Sequence, residues 1–350
     1  MIKVGIIGAS GYAGAEILRL LQTHPEAEIT AISSESFKDQ PISDVYPSFA
    51  GICDKLLCDK DKVFDNCDVI FASLPHGLSE GIAAKCAEKN ITMIDMGADF
   101  RLEDEADYTK WYGGTYENKQ LHESAVYGLP ELFRGKISAA AKNGAVLIAN
   151  PGCYPTSVAL GLSPLLSAGI ADVSAKIVID SKSGTTGAGR GLTQNTHYAE
   201  CNESFAPYKV AAHRHTPEIE QTLTKAAGKG VKVTFVPHLL PINRGIISTM
   251  YVERASDMPL PEIHKLYVEA YKDEQFVRVL PLGKAANLKN VRMSNYCDIS
   301  LHEDEHTGTI VIVSAIDNMV KGAAGQAIQN MNIIFGLAEN TGLNFVPPAF

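Results

Sequence analysis

Short apolar runs alternate with amphipathic stretches through the first half of the chain: IKVGIIG, a helical pattern over Ala15 to Thr23, then EITAIS, DVIFASLP and TMIDMGA. Strands spaced by helix-length segments predict a parallel sheet with crossover helices. From Lys176 the texture changes, and KIVIDS, KVTFVPHLLPI, GIISTMYVE, FVRVLPL, NYCDISLHE and TGTIVIVSAI follow with few helices between them. That succession predicts an antiparallel or mixed sheet. The closing segment IDNMVKGAAGQAIQNMNIIFGLA carries small and apolar residues at helical spacing, which predicts a long final helix. The parallel pattern ends near Asn150, where the domain boundary is expected.

Composition narrows the function classes. At 350 residues, 45% hydrophobic and 20% charged, the chain is long enough for two packed domains. A formal net charge of −9 with no run of Lys or Arg points away from nucleic acid and acidic membranes and toward small-molecule partners. MIKVGIIGAS leads straight into folded-looking sequence and no apolar stretch approaches a bilayer span, so a cytoplasmic location is expected. The seven cysteines contain no CxxC pair. Neither a disulfide frame nor a metal is expected.

The segment Gly8-Ala9-Ser10-Gly11-Tyr12-Ala13-Gly14 follows the strand KVGII and opens a helical pattern. Glycines at this spacing permit a tight turn and bring a pyrophosphate to a helix N-terminus, where unpaired N–H groups and the dipole favour an anion. A Rossmann-type dinucleotide-binding domain is the expectation. The second strand runs into Ser33, Ser34, Glu35, Ser36 and Lys38. Hydroxyls and a lysine suit a 2′-phosphate and favour NADP, whereas Glu35 offers the opposite possibility of a carboxylate turned to a ribose. Leu74, Pro75 and His76 lie after a later parallel strand, where α/β folds place ligands, and are expected to shape the cofactor crevice.

In Asn150-Pro151-Gly152-Cys153-Tyr154-Pro155-Thr156, Cys153 stands just before a helical run. The positive end of a helix dipole lowers a thiol's pKa and makes a nucleophile. His213-Arg214-His215 precedes a second helix, with Thr216 as its expected N-cap and Pro217 as its first residue. Read as extended, this segment puts His213 and His215 on one face and Arg214 on the other, offering an acid/base and an anion holder. The two histidines are not told apart by this reading. Further anion handles are expected in the glycine-rich loop from Ser181 to Arg190, with Gly184 and Gly187, and in Asn243-Arg244-Gly245.

With these segments assembled, the chain closely resembles the N-acetyl-gamma-glutamyl-phosphate reductase family, related in fold to aspartate-semialdehyde dehydrogenase. GASGYAG, LPHG, DMGADFRL, YGLPE, NPGCYPT, SKSGTTGAGR, HRHTPEI, NRGI and DNMVKGAAGQAIQNMN carry the resemblance across nearly the whole length. The resemblance implies reduction of an acyl phosphate through a thioester on Cys153, with His213 or His215 as proton carrier and NADPH as reductant. It further implies Arg214 as holder of the substrate carboxylate, with Asn150, Arg190 and Arg244 as further substrate contacts, and Asn318 and Lys321 near the cofactor. The organisation it implies is an NADP-binding Rossmann-type domain over 1–149 and 318–350. An α+β catalytic and oligomerisation domain, with a largely antiparallel or mixed sheet, occupies 150–317. A homo-oligomer, dimer or tetramer, is expected with it.

Overall fold

The computed structural model describes residues 1–350 and divides into two compact units: Met1–Pro151 with Ala323–Asn344, and Gly152–Gly322 with Phe345–Phe350. The return passage falls after Gly322 rather than before Asn318. The side chain of Asn318 is bonded to Gly245 and Thr186 within the second unit, which keeps that stretch there.

The first unit holds β1 (Ile2–Ile7), β2 (Ala27–Ser33), β3 (Leu57–Cys58), β4 (Val69–Ala72), β5 (Thr92–Asp95), β6 (Val126–Tyr127) and β7 (Leu147–Ala149). Every pairing is parallel, in the order β3-β2-β1-β4-β5-β7-β6. Val4, Ile6, Val69, Ile70, Phe71 and Ile94 are wholly buried, the near-continuous apolar reading of strands covered on both faces. From β1 the chain builds outward through β2 and β3, then returns to start the other half at β4. The order therefore reverses between β1 and β4, the place where open α/β sheets bind ligands.

The first helix spans Tyr12–Leu21, starting earlier than the expected Ala15 because Gly11 serves directly as its N-cap. The final helix is Gly325–Ile334, preceded by a π-helical turn over Val320–Ala324. The Gly322 N–H reaches back to the Asp317 carbonyl, and the Asp317 carboxylate accepts the N–H groups of Met319 and Val320, so this wide turn interrupts the longer helix that the spacing implies. The helix is buried despite its amides, several of which find partners: Asn330 Nδ2 donates to the Gly128 carbonyl at 2.8 Å, and Asn332 Nδ2 donates to the carbonyls of Glu339 and Thr341.

The second unit holds β8 (Ile177–Ser183), β9 (Ala206–Pro207), β10 (Val233–Leu239), β11 (Ile246–Val252), β12 (Val277–Val279), β13 (Cys297–Asp304) and β14 (Thr309–Ile316) in the order β12-β13-β14-β11-β8-β10-β9. The sheet is mixed, with β8–β10 and β12–β13 parallel and the other pairs antiparallel. Helix Cys153–Ser167 is buried from Tyr154 through Leu166. Its internal Pro164 cannot donate to the carbonyl of Leu160, and the Tyr271 hydroxyl supplies that bond at 2.5 Å. Ser157 crosses from the helix to the sheet, its hydroxyl 3.0 Å from those of Ser248 and Ser314.

Candidate active site

Two constellations carry the sequence-predicted residues, one in each unit. In the first, Gly8 adopts φ +83°, and a Cβ there would lie 2.2 Å from the Ser73 carbonyl oxygen; one on Gly14 would lie 2.3 Å from the Gly8 oxygen. Only glycine permits this close turn. No side chain caps the helix that starts at Tyr12, and an uncapped helix start of this kind suits an anion. Ser33 and Ser34 are buried at the end of β2, and the hydroxyls of Ser34 and Ser10 are 2.6 Å apart. This tight turn, whose backbone a Cβ at Gly8 or Gly14 would strike, fits the pyrophosphate and ribose of a dinucleotide.

Ser36 and Lys38 lie farther out and exposed, with Lys38 Nζ 3.1 Å from Asp59 Oδ2. The loop with Leu74, Pro75 and His76 follows β4. It is tied down by a residue to which the sequence reading gave no role: Asp99, wholly buried, accepts the N–H groups of Gly77 and Ser79 and stands 2.5 Å from His76 Nδ1. Asn150 is also wholly buried; its Nδ2 donates to the Ala323 carbonyl and its Oδ1 receives Asn330 Nδ2. With its amide engaged in this way it orients the end of β7.

In the second unit Cys153 is the first residue of its helix, and Gly152 is the N-cap without a side-chain cap. That start favours negative charge close to the sulfur. Gly152 is held from two sides. Its N–H donates to Glu218 Oε1 at 2.8 Å, and the His215 ring fills the space where its side chain would be, with Nε2 2.5 Å from an ideal Cβ. Glu218 lies within the HRHTPEI segment, but its wholly buried carboxylate had no role in the sequence reading. The signal was its place in the first turn of a helix, where an acidic side chain meets N–H groups.

The HRH segment is a turn, not an extended piece. His215 takes a helical backbone as N-cap, Thr216 is the first helical residue, and the Thr216 N–H bonds the His213 carbonyl. The two histidines still share a side, because the His215 N–H donates to His213 Nδ1 at 3.1 Å and their rings lie 4.9 Å apart. That bond fixes His213 Nδ1 as an acceptor. Burial, aided by the charges of Lys209 and Arg214, pushes His213 down to about 4, so it is neutral at physiological pH. Its ring packs among Tyr154, Tyr208 and Phe235. Left-handed backbone at Lys209 (φ 45°) and Ala211 (φ 54°) leads into this turn, a strain of the kind stored at functional sites. Arg214 is exposed beside it.

The two expected anion loops meet in one knot. Gly184 donates to the Gly245 carbonyl, Thr186 to that of Asn243, and the Asn318 amide accepts from the Gly245 N–H at 2.7 Å and donates to Thr186 Oγ1 at 3.0 Å. Gly187 is exposed in the same loop and Arg190 is half-buried beyond it. Arg244 Nε lies 3.1 Å from the buried carboxylate of Asp317, so this guanidinium is already ion-paired. Lys321 is wholly buried, 5.9 Å from the Phe276 ring centre. No group of three His, Cys, Asp or Glu is placed to hold a metal ion, and no helix is long and apolar enough to cross a membrane.

Two family models match: "Semialdehyde dehydrogenase, NAD binding domain" over residues 3–140 and "Semialdehyde dehydrogenase, dimerisation domain" over residues 153–318. Proteins named N-acetyl-gamma-glutamyl-phosphate reductase from Brachyspira hyodysenteriae and Clostridium beijerinckii are 57% and 58% identical, each over the full length of both chains. The fold is similar to aspartate semialdehyde dehydrogenase II of Vibrio cholerae, with a TM-score of 0.73 at 17% identity over 96% of this chain and 98% of that one. It is also similar to the enzyme of that name from Candida albicans solved with NADP, with a TM-score of 0.71 at 17% identity over 97% and 99%.

Proposed function

The chain belongs to the N-acetyl-gamma-glutamyl-phosphate reductase family of oxidoreductases, and we propose that it reduces N-acetyl-L-glutamyl 5-phosphate to the 5-semialdehyde and phosphate, a step of arginine biosynthesis, with NADPH as reductant. The observation that carries the reading is Cys153 at an uncapped helix start, with the imidazole of His215 against the adjoining Gly152. Cys153 attacks the acyl carbonyl as the thiolate; the C–S bond forms, the bond between the acyl carbon and the bridging oxygen breaks, and phosphate leaves with that oxygen and the electron pair. The glycine turn at Gly8 to Gly14, with Ser33, Ser34, Ser36 and Lys38, holds the nucleotide, which when bound supplies hydride. His215 Nε2 gives a proton to the hemithioacetal oxygen, then takes it back as the C–S bond breaks and the aldehyde departs.

His213 is a positioning residue in this scheme: neutral and bonded to the backbone N–H of His215, it fixes that ring. Glu218 positions Gly152, and Arg214 holds the substrate α-carboxylate. The units then correspond to a nucleotide-binding part and a catalytic part. The name of the second matching family supports a homo-oligomer, and seven cysteines without a disulfide accord with a cytoplasmic setting. The test follows NADP reduction with N-acetyl-L-glutamate 5-semialdehyde, with and without phosphate. Phosphate-dependent turnover is expected, and its absence overturns the proposal.

A further inference from the structure

One charged pair remains unexplained beside the nucleotide cradle. Lys38, the cation offered toward a 2′-phosphate, is held by Asp59, with the two side chains 51% and 42% exposed. Asp59 directly follows Cys58, and Cys58 pairs with Ser33 in the parallel β2–β3 ladder. The carboxylate thus emerges at the same end of the sheet as Ser34, whose hydroxyl meets Ser10 of the glycine turn. The loop with Lys38 is pinned along β3 as well: the Asp39 N–H donates to the Leu57 carbonyl and the Leu57 N–H to that of Gln40. Asp59 is anchored in turn, its Oδ1 accepting the Asp61 N–H at 2.9 Å. β2 ends in serines, so the acidic group that reads ribose hydroxyls in many dinucleotide folds stands here at the end of the neighbouring strand.

We infer that Asp59 sets the nucleotide selectivity of this chain: by engaging Lys38 and repelling a 2′-phosphate it moderates the preference for NADPH over NADH. A 2′-phosphate must share Lys38 with this carboxylate and lie near its charge. A 2′-hydroxyl meets neither obstacle. The hydrogen bond and charge of Asp59 also raise the pKa of Lys38. This inference rests on the assignment of the serine-rich segment to the 2′-phosphate.

The test uses the full-length protein and calorimetric titration with adenosine 2′,5′-bisphosphate and with AMP, fragments that bind without turnover. Asp59→Asn keeps an oxygen for the Asp61 N–H, and equal thermal unfolding confirms that the turn is intact. It is expected to tighten the bisphosphate about fivefold, the scale of one exposed charge pair, and to leave AMP unchanged. The KM ratio of NADH to NADPH should rise in step, and the gain should fade in high salt. Lys38→Ala should weaken the bisphosphate alone. An unchanged ratio of affinities in Asp59→Asn, with Lys38→Ala still weakening the bisphosphate alone, overturns the role of Asp59 and leaves the 2′-phosphate assignment standing. Lys38→Ala without effect on the bisphosphate overturns both.

Discussion

The ring of His215 occupies the space that a side chain on Gly152 would take, with Nε2 2.5 Å from the ideal Cβ position. Because Gly152 immediately precedes Cys153, this contact sets the imidazole beside the start of the Cys153 helix. It also separates the two histidines, which the sequence pattern alone left equivalent: His215 reaches the glycine, whereas His213 supports His215 from behind.

Gly152→Ala tests that contact with the least possible change. The added methyl group must push the imidazole aside, and displacement of a reacting group by about 1 Å costs on the order of 10²-fold in rate. The expected result in steady-state assays is a fall in kcat of that size, with nucleotide affinity by calorimetry unchanged.

The depressed pKa of His213 makes stability fall on acidification. Its folded value of about 4 lies below the ordinary 6.5, so between these limits the unfolded chain binds the extra proton. Stability is full above pH 6.5 and declines as pH falls toward 4, by on the order of 3 kcal/mol when complete. Urea titrations across that range should show the decline, and His213→Asn should flatten it.

The bond from Tyr271 to the Leu160 carbonyl replaces one that Pro164 cannot make. Tyr271→Phe leaves that buried acceptor unpaired and should destabilise the protein by about 1–3 kcal/mol in chemical denaturation. Pro164→Ala restores a helical donor, so in the Tyr271→Phe background it should recover part of the loss. A double-mutant cycle with no coupling between the two sites would contradict this account of the helix.

What the chain discloses in one dimension divides along physical lines. The parallel and mixed sheets were legible because burial on both faces writes apolar runs into the strands, as in Val69–Ala72, and local glycine spacing marked the turn at Gly8. The helix start at Cys153 was legible because an apolar helical run opens directly after it. The turn at His213 was not, since extended and turned backbones fit the same short polar segment and the bond from the His215 N–H decided between them. Asp99, Glu218 and Asp317 were silent for another reason: each buried carboxylate serves backbone N–H groups, and side-chain spacing carries no trace of such partners. The pairing of Lys38 with Asp59 depends on the neighbouring strand and was equally out of reach.

Peptide mass spectrometry after mixing the protein with N-acetyl-L-glutamate 5-semialdehyde and NADP in the absence of phosphate tests the central claim most directly. Oxidation without an acyl acceptor should stop at the thioester, so the account predicts one burst of NADPH and an N-acetylglutamyl group on the peptide carrying Cys153, released by added phosphate and absent from Cys153→Ser. An acyl group on another residue, or phosphate-dependent turnover retained in Cys153→Ser, would contradict it.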